Sequence, residues 1–465
     1  MKRKLFVIVL VLVTFIGITM IHAQATPSNE KILALLKQRV EQERQMPGIV
    51  VGLIDRKSRR LFNYSLLDSK VDADTLFEIG SISKVFTALA LTQMAERGEL
   101  KLNDPISKFL PVKTPTRNGK AISLLSLATH TSGLPRLPDN LAQKDPSNPY
   151  ADYTIEQLYS FLSSYQLPRD IGAQYEYSNL GAGLLGHILS LKAGVSYETL
   201  IKNQITNPLK MKDTTIQISS RQQARFTKGH NRFGNPVSYW DLPTLAGAGG
   251  LRSTANDLLT FLSANLQLKS SPLNRTLQKM HIAQHETNLS EMKIAIGWHI
   301  VTHKDTEMIV HEGGTGGFRS FIGFVKKKGL GVVVLSNSEN DISDIGFHLL
   351  DESIPLAKRE IPRERKAIEI NPKLLDAYVG RYELAPEFVL TITKEQNRLF
   401  LQATGQAKVE LFAETETQFF ITEVDAQVTF VRDPQGIVNQ LILHQNAQNS
   451  PAKRLPPTVD RKNNS

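Results

Sequence analysis

The chain of 465 residues reads as an α+β protein: an antiparallel sheet flanked by helices with a helical subdomain, followed by a separate small antiparallel β-barrel. Three observations lead there. Two apolar hairpin patterns, at 49–64 and 320–336, bracket a long and mostly helical middle. A charged, proline-punctuated stretch follows, IPLAKREIPRERKAIEINP, which cannot form one continuous helix. Beyond it, apolar runs recur about every ten residues, the spacing of a small all-β sandwich or barrel.

In chain order, Lys2, Arg3 and Lys4 precede an almost unbroken apolar run over 5–21 and the small-x-small pattern Ala23-Gln24-Ala25. This is the form of a secretory signal, so residues 1–25 are expected to be removed and the mature chain to be periplasmic or secreted, without stable membrane insertion. The competing reading is a retained anchor. From Asn29 a helical period runs through Ile32, Leu33, Leu36 and Val40, opened by Pro27-Ser28. Residues 49–54 and 61–64 then form a strand pair around the charged 55–60. Ile82, Val85, Phe86 and Leu89 share one face of an amphipathic helix that Gly98 stops. The second hairpin turns at Lys326-Lys327-Lys328-Gly329, where glycine is free to take a positive φ. The two hairpins are expected to pair in one sheet, with the N-terminal helix on one face and the middle on the other.

The expected domains are the signal (1–25), a catalytic domain (26–350), a linker (351–372), an all-β domain (373–455) and a disordered tail (456–465). Strands of the all-β domain are expected at 389–393, 399–403, 409–413, 418–422, 428–432 and 440–444.

Cysteine is absent, which removes disulfides, thiolate metal sites, Fe–S clusters and a cysteine nucleophile together. The 55 Lys and Arg against 45 Asp and Glu give a formal charge of +10. Three of those positive charges lie in the signal. The remaining basic runs carry no interleaved aromatics and read as solvated turns and a linker, so no nucleic-acid partner is expected.

Ser-x-x-Lys occurs four times, beginning at Ser28, Ser81, Ser290 and Ser450. Only Ser81 stands where a glycine turn enters a helix, so that unpaired N–H groups and the helix dipole meet a developing negative charge. Lys84 lies one turn on; if buried, it loses its charge and becomes a base for the Ser81 proton. The plain alternative has Ser81 capping the helix and Lys84 in solvent. Tyr177-Ser178-Asn179 offers a phenol able to relay protons and an amide able to bind a substrate carbonyl, or else a buried loop tyrosine. In His311-Glu312-Gly313-Gly314-Thr315-Gly316-Gly317-Phe318, glycine permits close backbone approach, and an N–H near Gly314 could join that of Ser81 as an oxyanion hole. A flexible loop is the alternative.

Together the three motifs resemble the serine β-lactamase and penicillin-binding protein superfamily, in its class C β-lactamase-like branch. The likeness extends over about 30–338 through LFEIGSISKVFTALAL, LNDPISKFLP, LLSLATHTSGLP, YEYSNLGAGLLGHIL, ITNPLKMKDTT, AGAGGLRSTANDLLTF and HEGGTGGFRSFIGF in the family's order. The resemblance implies that Ser81 is the acylated nucleophile, that Lys84 and Tyr177 share acid/base work, and that Asn179 contacts the acyl side chain. It also implies an oxyanion hole from the N–H groups of Ser81 and Gly314. His311, which the resemblance implies is substrate-binding, stands where lactamases carry the lysine of Lys-Thr-Gly, as in peptidases and esterases of the branch. Glu312 replaces a hydroxyl that often binds a substrate carboxylate; facing the site, it would repel such substrates. The C-terminal module resembles the lipocalin-like domains appended to several such hydrolases.

Gly181-Ala182-Gly183-Leu184-Leu185-Gly186 fits GxGxxG but follows no apolar strand, so close helix packing is expected rather than a dinucleotide. His281/His285 and His299/His303 lack HExxH order, and no metal or cofactor is expected. Trp240 and Trp298 could each border a cleft or belong to the core, with the core the expected place. The expected function is an exported serine hydrolase acting on a peptidoglycan-like peptide, a β-lactam or an ester, closest to a penicillin-binding DD-peptidase. A carboxylesterase of small esters and a non-catalytic ligand-binding homologue are the alternatives.

Overall fold

A computed structural model describes residues 27–456 apart from 67–69, 142, 387, 407, 423, 425, 446 and 447. The expected signal, and the tail after Pro456, lie outside the described residues. The chain forms two compact units. Of the described residues, one comprises 27–38, Met46–His230 and Pro236–Pro355; the other comprises Arg39–Gln45, Asn231–Asn235 and 356–456.

The first unit is built on an eight-stranded antiparallel sheet. Its strands in chain order are β1 (Gly48–Ile54), β2 (Arg59–Ser65), β3 (His285–Glu286), β4 (Met292–Ile294), β5 (His299–His303), β6 (Thr306–Gly314), β7 (Arg319–Val325) and β8 (Leu330–Ser336), arranged β2-β1-β8-β7-β6-β5-β4-β3. The two expected hairpins therefore meet, with Val51 opposite Val334. Strand β6 is an addition to the expected elements. Its presence makes His311–Gly314 the end of a strand rather than a loop.

Because side chains alternate along a strand, the cross-strand register sorts the sheet into two faces. His311, Ile322, Val333 and Gly52 share one; Glu312, Phe321, Val334, Val51 and Phe62 share the other. Helix α1 (Asn29–Lys37) begins at Ser28, whose side chain accepts the N–H of Lys31, and packs on β2.

Helix α2 (Ser83–Glu96) was expected to be amphipathic, yet Ser83 to Met94 is buried throughout. Other helices enclose it, including α3 (Asn179–Ala193) and Asn274–Met280, so it has no solvent face to leave polar. Phe86 stacks on Phe261 of α4 (Ala255–Asn265) at 4.6 Å, and Trp298 packs edge-on against Phe324. Each such buried side chain contributes about 1.5–3 kcal/mol. The last helix of the unit, α5 (Ser343–Leu350), covers β7 and β8 through Phe321 and Phe347.

Residues 356–371 form neither helix nor strand. The second unit then closes an eight-stranded antiparallel barrel from β9 (Gly380–Ala385), β10 (Phe388–Glu395), β11 (Arg398–Ala403), β12 (Lys408–Ala413), β13 (Gln418–Ile421), β14 (Ala426–Arg432), β15 (Val438–Gln445) and β16 (Gln448–Arg454). Six of these carry the expected apolar runs. The first and last close the barrel where Tyr382 faces Arg454 and Glu383 faces Lys453. Side chains fill the interior, with Tyr378 stacked on Phe430 at 4.2 Å and its hydroxyl donating to the Glu416 carbonyl.

Candidate active site

Ser81 lies in a single 3₁₀ turn, Gly80–Ile82, that leads into α2. Gly80 has φ +48°, and a Cβ there would stand 2.6 Å from the backbone nitrogen of Gly314. Only glycine allows both that conformation and that approach. The Ser320 hydroxyl donates to the Ile79 carbonyl at 2.9 Å, which fixes the sheet against the serine turn. The backbone of Gly314 is thereby held against the serine turn.

Lys84 is buried, 3% exposed. Its Nζ is 2.8 Å from Ser81 Oγ, 2.8 Å from Asn179 Oδ1 and 2.7 Å from the Ala248 carbonyl oxygen. Among the described residues no carboxylate pairs with it. Burial, together with the nearby Arg136 charge, holds its pKa well below the ordinary lysine value. A neutral amine has two N–H bonds and one lone pair. With two carbonyl oxygens taking the N–H bonds, the lone pair is left for the Ser81 hydroxyl.

Asn179 reaches Lys84 from the start of α3, and Ala248 from the short helix Ala246–Gly249. The Ser178 hydroxyl accepts the N–H of Gly181 at 2.8 Å and caps that helix, placing Asn179 in its first turn. The glycines that mimic a nucleotide motif serve packing, as expected: a Cβ on Gly186 would lie 2.9 Å from Gly247 Cα. Their smallness brings the Ala248 carbonyl within reach of the lysine.

Tyr177 donates or accepts at Ser81 through its hydroxyl, and burial pushes its pKa up to about 12. Lys84 Nζ lies 4.8 Å from the centre of its ring. Three imidazoles surround this phenol: His130 at 4.5 Å between ring centres, His299 at 6.3 Å and His311 at 6.5 Å. Desolvation first lowers all three, His299 to about 4; nearby positive charge adds to it, from Lys84 in each case and from neighbouring imidazoles at His130 and His311. His130 Nδ1 accepts the Ser178 N–H at 3.1 Å, so its proton sits on Nε2. His311 Nδ1–H donates to the Glu312 carbonyl at 2.7 Å, which leaves its Nε2 as an acceptor.

The cleft over Ser81 is lined on one side by Tyr150, Asn179, Trp240 and Leu242, and on the other by Gly314 and Thr315. Of the two readings open for the tryptophans, Trp240 takes the cleft, partly exposed and with Tyr150 edge-on against it at 5.4 Å, and Trp298 takes the core. Beneath the cleft, buried Glu78 accepts the Trp240 N–H at 3.0 Å and an Arg252 N–H at 3.3 Å. Glu312 leaves its strand on the face opposite His311. The residue keeps some contact with solvent, but neighbouring groups desolvate its carboxylate and raise its pKa, against a hydrogen bond with Ser343 that lowers it.

A family model described as Beta-lactamase matches residues 33–348. The chain belongs to the β-lactamase family. A second model, a domain of unknown function named DUF3471, matches residues 364–455. The D-alanyl-D-alanine-carboxypeptidase/endopeptidase AmpH of Escherichia coli (strain K12) is 33% identical over 309 residues, 62% of this chain and 78% of the relative. Penicillin-binding protein 4* of Bacillus subtilis (strain 168) is 26% identical over 464 residues, 92% of this chain and 99% of the relative. The crystal structure of a class C β-lactamase from Rhodobacter sphaeroides superposes with a TM-score of 0.60 at 26% identity, covering 69% of this chain and 99% of that one. The protein is thus a β-lactamase-like serine enzyme of the kind that includes penicillin-binding DD-peptidases.

In this family member all six residues singled out from sequence, Ser81, Lys84, Tyr177, Asn179, His311 and Gly314, gather at one cleft. Sequence reasoning missed His130, His299, Tyr150 and Arg136. Isolated histidines carry no spacing signal. His130 sits within LLSLATHTSGLP, and a positive φ of 56° marks that turn as specially shaped only once the structure is in view.

Proposed function

We propose that the enzyme hydrolyses an amide bond of a cell-wall-type peptide through an acyl-enzyme on Ser81. The observation that carries this reading is the buried Lys84 amine, 2.8 Å from Ser81 Oγ with both N–H bonds directed at carbonyls. Ser81 Oγ attacks the substrate carbonyl while its proton passes to Lys84. The N–H groups of Ser81 and Gly314 receive the oxyanion. Tyr177, still protonated at neutral pH, gives its proton to the departing amine as the C–N bond breaks, and the Lys84 proton restores the phenol. Water then attacks the ester, and the same groups run in reverse to release the acid.

A positioned acid or base is worth about 10²–10⁴ in rate and one oxyanion donor about 10²–10³. Asn179 is assigned to the acyl group and His311 to substrate binding beside the Tyr177 phenol. The leader pattern at 1–25 supports export to the periplasm or outside the cell, and no described helix is long and apolar enough to cross a membrane. Residues 26–350 are read as the catalytic domain, 351–372 as a linker and 373–455 as the all-β domain.

The test is intact-mass spectrometry after benzylpenicillin and, separately, a fluorophosphonate. An adduct on Ser81 that Ser81→Ala lacks is the expected result, with faster release of D-alanine from a D-Ala-D-Ala peptide than hydrolysis of nitrocefin. A wild-type chain that takes no label from either probe sinks the covalent mechanism.

A further inference from the structure

Arg136 is exposed, yet its place is fixed. Its backbone carbonyl accepts the N–H groups of Asn179 at 3.0 Å and Leu180 at 3.2 Å, which ties it to the first turn of α3. Its guanidinium carbon lies 5.3 Å from the centre of the Tyr177 ring. The charge reaches into the cleft, since it acts on Lys84, Tyr150 and Tyr177 alike. Among the described residues no carboxylate forms an ion pair with it.

Glu312 acts on the same Tyr177 phenol, but among the described residues it forms no ion pair with Arg136. Lys84 and the three imidazoles are held toward neutrality, and Tyr177 keeps its proton. A guanidinium over a phenol face, on a side chain open to solvent, is a ready receptor for a planar anion. The strand end that carries Glu312 belongs to the other wall.

The geometry points to Arg136 as the residue that binds a carboxylate carried on the acyl half of the substrate. This assignment rests on the acyl-enzyme reading, because it takes Asn179, the backbone partner of Arg136, as the group beside the acyl chain. It makes the enzyme selective for amides or esters of dicarboxylic or amino-dicarboxylic acyl groups over neutral acyl groups of equal length.

The experiment compares the mono-p-nitrophenyl ester of adipic acid with its methyl-capped form, using the full chain as wild type, Arg136→Ala and Arg136→Lys. The quantity read is the ratio of kcat/KM for the charged over the neutral ester, which is insensitive to how much of each variant is active. Wild type is expected to favour the charged ester by about tenfold or more, Arg136→Ala to bring the ratio close to one, and Arg136→Lys to keep part of the preference. Mass spectrometry of Ser81 runs alongside. Acylation of Ser81 by both esters with a ratio that is the same in wild type and Arg136→Ala overturns the role of Arg136 and leaves the hydrolase reading standing. No acylation by either ester overturns both.

Discussion

At the scale of single residues, protonation states decide what the site can do. Lys84 is useful as a base only while neutral, and burial lowers its pKa. As pH falls through that lowered value the amine gains a proton and loses its lone pair, so kcat/KM should fall on the acid side with unit slope. Tyr177 is displaced the other way, to about 12, so no loss from its ionisation should show below about pH 10. Lys84→Ala should cost about 10²–10⁴ in kcat/KM and remove the acid limb; a limb that survives in the variant assigns it to the imidazoles instead. Tyr177→Phe should cost a similar factor while leaving the acid limb in place. Ser81, Lys84 and Tyr177 were legible because they sit in compact motifs next to a helix start. His130 and His299 were not, since each enters the cluster from a separate segment, 47 or more positions from Tyr177 along the chain.

At the scale of elements, the oxyanion pair depends on a contact between a helix turn and a strand end. Gly80 and Gly98 both have positive φ, +48° and +73°, but a Cβ on Gly98 would meet nothing within 4 Å. Gly98→Ala should therefore cost only backbone strain, about 1–2 kcal/mol, seen as a lowered Tm with kcat unchanged. Gly80→Ala adds a collision with Gly314 and should lower kcat by about 10²–10³ in addition to its effect on Tm. Equal kcat in the two variants would remove Gly314 from the oxyanion hole. The same scale explains what sequence patterns showed of the fold. Strands β1, β2, β7 and β8 are apolar and bounded by charged turns. By contrast, β9 and β16 read GRYELA and QNSPAKR, with Tyr382 and Ala452 as their wholly buried residues. A proline inside β16 argues against a strand locally; pairing with both neighbours in a closed barrel overrides it.

For the whole molecule, several buried histidines couple stability to pH. His281 and His299 are lowered to about 3 and about 4, and His130 and His311 well below the usual value, in each case mainly by desolvation. In the unfolded chain they bind protons near pH 6.5, whereas the folded chain resists. Unfolding thus takes up protons between about 6.5 and 4, and stability falls as pH falls through that window. Buried Glu78 and Asp257, whose pKa values are raised by desolvation, act in the opposite sense. Chemical denaturation at pH 7 and pH 4.5 should give a lower midpoint at pH 4.5, and His281→Asn should reduce the difference; an equal midpoint at both values would show that these imidazoles stay accessible to protons in the folded chain.

Local pattern alone carries the division into an α+β part and a β-barrel, the strands of both hairpins, and the serine at a helix entrance, because periodicity, turn chemistry and helix capping act over a few residues. The tertiary structure decides the rest. Burial of α2 on every side, the tight passage of Gly186 past Gly247 and the return of β6 to Gly80 bring Lys84 between two carbonyls and a hydroxyl. Only that convergence, made by contacts between residues far apart in the chain, lowers the pKa of a lysine that a solvated helix would keep charged and fits it for the base role proposed above.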